Sequence, residues 1–155
     1  MKRLTAIALC FAMPMATFGA SEGHKVEYEG GSLPDLKAGA NLRIRVDQQN
    51  IHLVRDKKDV AVIPSGAVTE LSYGQDVHRR IGAAIGIGVF TLGLGALMAF
   101  AKSKKHFIGV TWDDAGKRGG FAFQANKDDY RGLLTGLEGV TGKKAINTNT
   151  MSVKN

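Results

Sequence analysis

IGAAIGIGVFTLGLGALMAFA, residues 81–101, runs for 21 positions without a charged side chain. As a helix rising about 1.5 Å per residue it would reach roughly 31 Å, close to one hydrocarbon thickness. Its small residues form two helical stripes, Gly82, Gly86 and Gly93 on one, Ala84, Gly88, Gly95 and Ala99 on the other. Such stripes let helix backbones approach closely, within one bundle or between copies. Gly93 and Gly95, near the middle, are also where a bend could form. Arg79 and Arg80 precede the stretch and Lys102, Lys104 and Lys105 follow it, with His78 and His106 just beyond. Their stems can snorkel while their charges meet lipid phosphates, each worth about 1 kcal/mol beside an anionic surface. Two cations against three mark a membrane interface without orienting the segment.

Outward from this stretch the period changes. Five upstream runs alternate apolar and polar residues, the signature of half-buried strands: His24 to Glu29, Asn41 to Asp47, Asn50 to Arg55, Asp59 to Ile63 and Ala67 to Tyr73. Two more follow it, His106 to Trp112 and Gly119 to Ala125. Turn residues separate them, including Gly30 to Pro34, Asp56 to Lys58, Pro64 to Gly66 and Asp113 to Arg118. Then Tyr130, Leu133, Leu134, Leu137 and Val140 fall on one helical stripe, with Asn126 or Asp128 to cap the start and Gly142 to end it. Five strands lack a helix to cover them, and two strands with one helix lack the apolar area for a core. Joined, residues 22–80 and 102–144 make one mainly β domain with a C-terminal α-helix. Ile81 to Ala101 then becomes a membrane helix or helical hairpin inserted between strands five and six. A true span, and a helix lying in the interface or within an oligomer, are the alternatives.

The chain opens with Lys2 and Arg3, an apolar run Leu4 to Met13 and small residues ending at Ser21, the pattern of a secretory signal over residues 1–21. Losing Lys2 and Arg3 with it lowers the formal charge from +7 to +5. The one cysteine, Cys10, lies inside this segment behind Leu9, so neither a disulfide nor a lipid anchor is expected. Residues 145–155 are polar and aperiodic and read as a flexible tail.

Ile63-Pro64 followed by Val68-Thr69-Glu70-Leu71-Ser72-Tyr73-Gly74, then an apolar segment, a basic Lys104-x-His106 strand and the Tyr130 to Gly142 helix, resembles bacterial members of the pleckstrin-homology superfold. The chain is also similar to small exported bacterial proteins of unassigned function. The resemblance spans roughly Val26 to Lys144. It implies about seven meandering antiparallel strands in two packed sheets, one end plugged by the helix. Phosphoinositide-binding relatives carry clustered cations between the first two strands. Here Gly30 to Ala40 holds only Lys37, so inositol-lipid recognition by that loop is not expected.

No catalytic constellation emerges. The histidines His24, His52, His78 and His106 are scattered, with no HExxH, no cysteine pair and no serine elbow. Asp113-Asp114 and Asp128-Asp129 suit a hairpin turn and a helix N-terminus. Cleavage after Ser21 would expose Glu22-Gly23-His24, whose amine, two amides and imidazole could hold Cu(II) or Ni(II) in a square plane. No other metal or cofactor is expected, and nucleic acid is not an expected partner. The sequence thus points to an exported, membrane-associated, non-enzymatic module, at the bacterial inner membrane with its β-domain on the outer or periplasmic side. Such a module would bind lipid surface or a partner protein next to the bilayer. The alternative is a structural homo-oligomer assembled through Gly82, Gly86, Gly88, Gly93 and Gly95.

Overall fold

The computed structural model describes residues 23–85 and 106–150. The protein is mainly β with two helices. Its strands are β1 (His24–Gly31), β2 (Ala40–Val46), β3 (Asn50–Arg55), β4 (Lys58–Pro64), β5 (Val68–Tyr73), β6 (His106–Asp114), β7 (Lys117–Ala125) and β8 (Ile146–Asn147), with helices α1 (Val77–Ile85) and α2 (Tyr130–Thr141). They form one sheet in the order β4-β3-β2-β1-β7-β6-β5-β8. Every pairing is antiparallel except β5 with β8. The strands before and after the apolar segment therefore share one hydrogen-bonded sheet, joined where β1 pairs with β7 and where β5 pairs with β6 and β8.

Turn chemistry sets the hairpins. Asp56 and Lys57 both take positive φ (51° and 64°), as do Ala115 and Gly116 (51° and 86°). That is the geometry of a two-residue loop whose twist matches the flanking strands. Between β2 and β3 the Asp47 carboxylate accepts the amides of Gln49 and Asn50 at 2.8 and 2.7 Å, an Asx turn.

Period-two alternation then sends one row of side chains inward from all seven long strands. Ile44, Ile51, Leu53, Leu71, Ile108, Phe121 and Phe123 are fully buried and join Leu133 and Leu137 of α2 in a single core. Helix α2 thus covers that core with Leu133 and Leu137. Its start departs from the expected caps: Asp129 occupies the N-cap position and makes no side-chain cap bond, while the Asn126 carbonyl accepts the amides of Asp129 and Tyr130. Gly142 ends the helix as anticipated, in the left-handed conformation (φ 67°) with its amide on the Glu138 carbonyl.

Two expectations need correction. The tail is structured as far as Thr150. Ile146–Asn147 pairs with Ser72 and Tyr73. The Thr148 hydroxyl meets the Tyr73 carbonyl and the Asp76 amide, both at 3.2 Å, and the Asn149 side chain accepts the Gln75 amide at 2.8 Å. Short polar side chains satisfy backbone groups at the start of α1, and such contacts require no hydrophobic periodicity. Residues 151–155 lie outside the described residues. Second, the apolar stretch does not begin as a membrane segment, because Ile81 belongs to a helix that starts at Val77 and packs on the sheet. Among the described residues no helix is long and apolar enough to cross a membrane.

Candidate functional site

The outer face of β6 and β7 is built to receive α1. Small residues at Gly109, Gly120 and Ala122 leave a trough there. A Cβ on Gly109 would stand 2.5 Å from Val77 Cγ1 and 2.7 Å from Ile81 Cδ1, and one on Gly120 would stand 2.8 Å from Ile81 Cγ2. Val77 and Ile81 fill this trough beside Phe107, with Ile85 packed at the margin. His78 is buried on the same helix, its ring edge-on to Phe107 at 5.2 Å. Burial pushes its basicity below that of an ordinary histidine.

Docking α1 this way redistributes the expected membrane cations. Arg80 makes a two-pronged bond to Glu70 of β5, Nε to Oε1 at 2.8 Å and Nη2 to Oε2 at 2.9 Å. It ties the helix to the sheet, a task the sequence reading had not assigned it. Arg79 is exposed and Gly82 is half-buried. Gly86, Gly88, Gly93, Gly95, Lys102, Lys104 and Lys105 lie outside the described residues. His24 opens β1 opposite Ile44, its ring near Gly132 of α2. Any metal site there would also draw on Glu22, outside the described residues. Among the described residues, no group of three or more histidines, cysteines or carboxylates is arranged to hold a metal ion.

At the end of the sheet where β5 leaves toward α1 and β6 begins, three rings assemble. Tyr73 ends β5, His106 begins β6 and Tyr130 begins α2. Tyr73 Oη and His106 Nδ1 are 2.8 Å apart, with ring centroids 6.0 Å apart and planes 9° from parallel. These two rings therefore lie edge to edge as a plate. Tyr130 stacks over it, 3.8 Å from His106 and 5.5 Å from Tyr73, within 5° of parallel to each. Arg131 Nε donates to Tyr130 Oη at 2.9 Å, and this bond foremost holds the phenol below the usual tyrosine range. Desolvation, then the nearby Lys127 and Arg131 charges, lower the basicity of His106. The sequence reading used Tyr130 as a stripe residue and His106 as a flank. Of the three only His106 stands close to the apolar segment in sequence, and Tyr130 comes from a distant helix, so no local pattern announced their meeting.

A second feature lies on the outer face of β1 to β3, a groove of about 790 Å³ whose lining includes Lys25, Glu27, Arg43, Arg55, Lys57 and Gln124. Lys25 and Arg43 face each other across β1 and β2, like charges that an anion between them would stabilise. The Gln124 side-chain oxygen is buried without a hydrogen-bond partner among the described residues. Strand alternation already placed Arg43 outward and Lys57 in a turn; what only the fold supplies is their meeting with Lys25 and Arg55 on one face. The chain matches no known family model and no curated protein.

Proposed function

We propose that the protein is an exported, non-enzymatic, membrane-associated interaction module, a pleckstrin-homology-like β-domain whose apolar insertion enters the near leaflet and returns. The antiparallel run of strands and the C-terminal helix packed on their shared core support the pleckstrin-homology-like reading, although the strands form one hydrogen-bonded sheet in place of the two that the resemblance implied.

The observation that carries the proposal is the antiparallel pairing of β5 with β6, the strands on either side of α1 and the apolar segment. The chain leaves β5 and re-enters β6 at one end of one sheet, marked by the 2.8 Å bond between Tyr73 and His106. Residues 86–105 must leave α1 and come back to β6, so a hairpin gives each arm at most about ten residues, roughly 15 Å as helix. That is about half of the roughly 30 Å hydrocarbon core. A segment so tethered reaches one leaflet, and both parts of the domain stay on the same side. Glycines at the turn and cations at the neck suit that geometry.

Single cysteines at Lys37 and Lys117, both exposed, test it with an impermeant thiol reagent applied from one side of the membrane. Equal labelling is expected. Labelling of one position only would mean a true span and would overturn the proposal.

A further inference from the structure

The two edges of the sheet are finished differently. Beyond β5 lies β8, and the Thr148 and Asn149 side chains tie the residues that follow it to the β5–α1 connection. At the other edge β4 has β3 as its one neighbour in the sheet. Val60 and Val62, both on β4, are the two exposed large apolar side chains among the described residues, at 44 % and 47 %. A strand that bares backbone groups together with apolar side chains is a template for another strand.

The backbone of this edge can be read from its β3 side. The Ser65 amide donates to the Gln49 carbonyl at 2.7 Å, in register with Ile63 opposite Ile51. Bonded residues alternate along an antiparallel ladder, so Ile63 turns its amide and carbonyl to β3 and Val62 turns its own outward. Pro64, the next outward position, has no N–H to leave unpaired. Lys58, Asp59 and the register shift opposite Leu53 and Val54 guard the other end. The open stretch is therefore short, with Ala61 and Val62 at its middle.

What fits this stretch is a second copy of itself. Antiparallel pairing about Ala61 sets Val60 of each copy against Val62 of the other, on the face away from the core. It also sets Lys58 against Pro64, which leaves the two Lys57–Lys58 pairs about 20 Å apart along the shared edge. That is well beyond the roughly 8 Å over which exposed charges act at physiological salt. Parallel pairing in register would put Lys58 against Lys58. An unrelated extended segment could use the same backbone groups, but the valine match and the separation of the lysines belong to this strand paired with itself.

We propose that β4 is a homodimer interface, joining two sheets edge to edge across a two-fold axis at Ala61. This interface stands independently of the membrane-associated reading and suits it. Sheets twist by roughly 20–25° per strand, so the five steps from β4 to β6 turn the strand direction by about 100–125°. The Tyr73–His106 end then lies nearly along the two-fold axis, and both copies present it to the same side. A ladder of about five residues a side buries less than the roughly 1,200 Å² of a standard interface, so the dimer is weak and parts on dilution.

Sedimentation of the full chain in detergent micelles, from about 1 to 300 µM, should show monomer passing into dimer. Val60→Lys with Val62→Lys sets lysine against lysine across the axis and should weaken association at least about tenfold; Val62→Lys alone should weaken it about threefold. Both positions are exposed, and an unchanged thermal midpoint will show that the variants are folded. In a Cys10→Ser background, Ala61→Cys should give a disulfide-linked dimer on mild oxidation, because directly opposed residues bring their Cβ atoms about 4.5–5.5 Å apart. Lys117→Cys, exposed at the β6–β7 turn, should not, and the lysine pair should abolish the Ala61→Cys crosslink. A chain that stays monomeric over the whole range would overturn the interface. So would equal crosslinking at positions 61 and 117, or a dimer indifferent to the lysine pair, which would move the contact to another part of the chain.

Discussion

The two halves of the sheet share one core and differ in what covers their outer faces. Over β1 to β4 the outer face largely meets solvent: Lys25, Glu27, Arg43, Arg45 and His52 point away from the core, and Val60 and Val62 of β4 remain 44 % and 47 % exposed. Over β6 and β7 the outer face carries α1, and burial there is nearly continuous, from Phe107 to Thr111 and from Gly119 to Phe123. A strand buried on both sides needs small residues where a second layer approaches, and Gly109, Gly120 and Ala122 supply them. The covered half is therefore the one that holds the root of the apolar segment. The open half is left free to carry charge.

This contrast breaks most sharply at Ile81, which is fully buried in the trough. Ile81→Ala should destabilise the protein by about 2–5 kcal/mol, since the cavity lies between a helix and strands that cannot easily collapse. Val62→Ala, on the open face, should change stability by less than about 0.5 kcal/mol. Urea unfolding of the two variants compares the faces directly, and equal costs would erase the distinction. Filling the trough from below is the next largest effect. Gly109→Val, with Val77, Ile81 and the Ser72 hydroxyl all within 2.7 Å of the added Cβ, should cost about 1–3 kcal/mol by overpacking. Amide exchange in α1 should rise selectively, because the helix can lift while the inner core stays packed.

A smaller and pH-gated effect separates the halves at His78. Its basicity in the folded state lies below the ordinary value, by desolvation. The stability tied to its neutral form is thus complete above about pH 6.5 and is lost as pH falls from there toward the depressed folded-state value. Asp47 and Glu138, held low by hydrogen bonds from the Gln49 and Ala145 amides foremost, lose their contribution only near and below about pH 4. His106, also depressed, acts in the same direction as His78, so the variant comparison matters. His78→Gln should flatten the fall in thermal midpoint between about pH 6.5 and 5. An unchanged slope would mean that the covered face does not feel this proton.

The same contrast explains what the sequence made legible. The seven long strands could be read because even the covered ones keep alternating core residues such as Ile108, Val110, Phe121 and Phe123. Leu133 and Leu137 announced α2 by spacing. Helix α1 was hidden because Ile81 to Ile85 reads as the head of a long apolar run, and only the glycines of distant strands reveal that this turn and the one before it pack on protein. The tail was hidden for another reason: Thr148 and Asn149 act through a few hydrogen bonds to the chain between Tyr73 and Asp76, which no local pattern encodes. The aromatic neck joins residues from three elements up to 57 positions apart in sequence, so its members were visible singly and their assembly was not.

The smallest expected effect is on the open face, at the pair Arg45 and Asp59. Their charged atoms are 3.7 Å apart, with side chains 40 % and 39 % exposed. Solvent screens such a pair, and holding two side chains in one geometry costs entropy. Asp59 also keeps His52, whose Nδ1 lies 3.0 Å from its carboxylate while Nε2 lies 2.8 Å from Asp47. Removing the arginine therefore leaves no carboxylate unpaired. Arg45→Gln should shift unfolding free energy by no more than about 0.5 kcal/mol, measured by urea denaturation at neutral pH. A loss above about 1.5 kcal/mol would mean that Arg45, His52, Asp47 and Asp59 act as one network. The open face would then be organised by charge as firmly as the covered face is by packing.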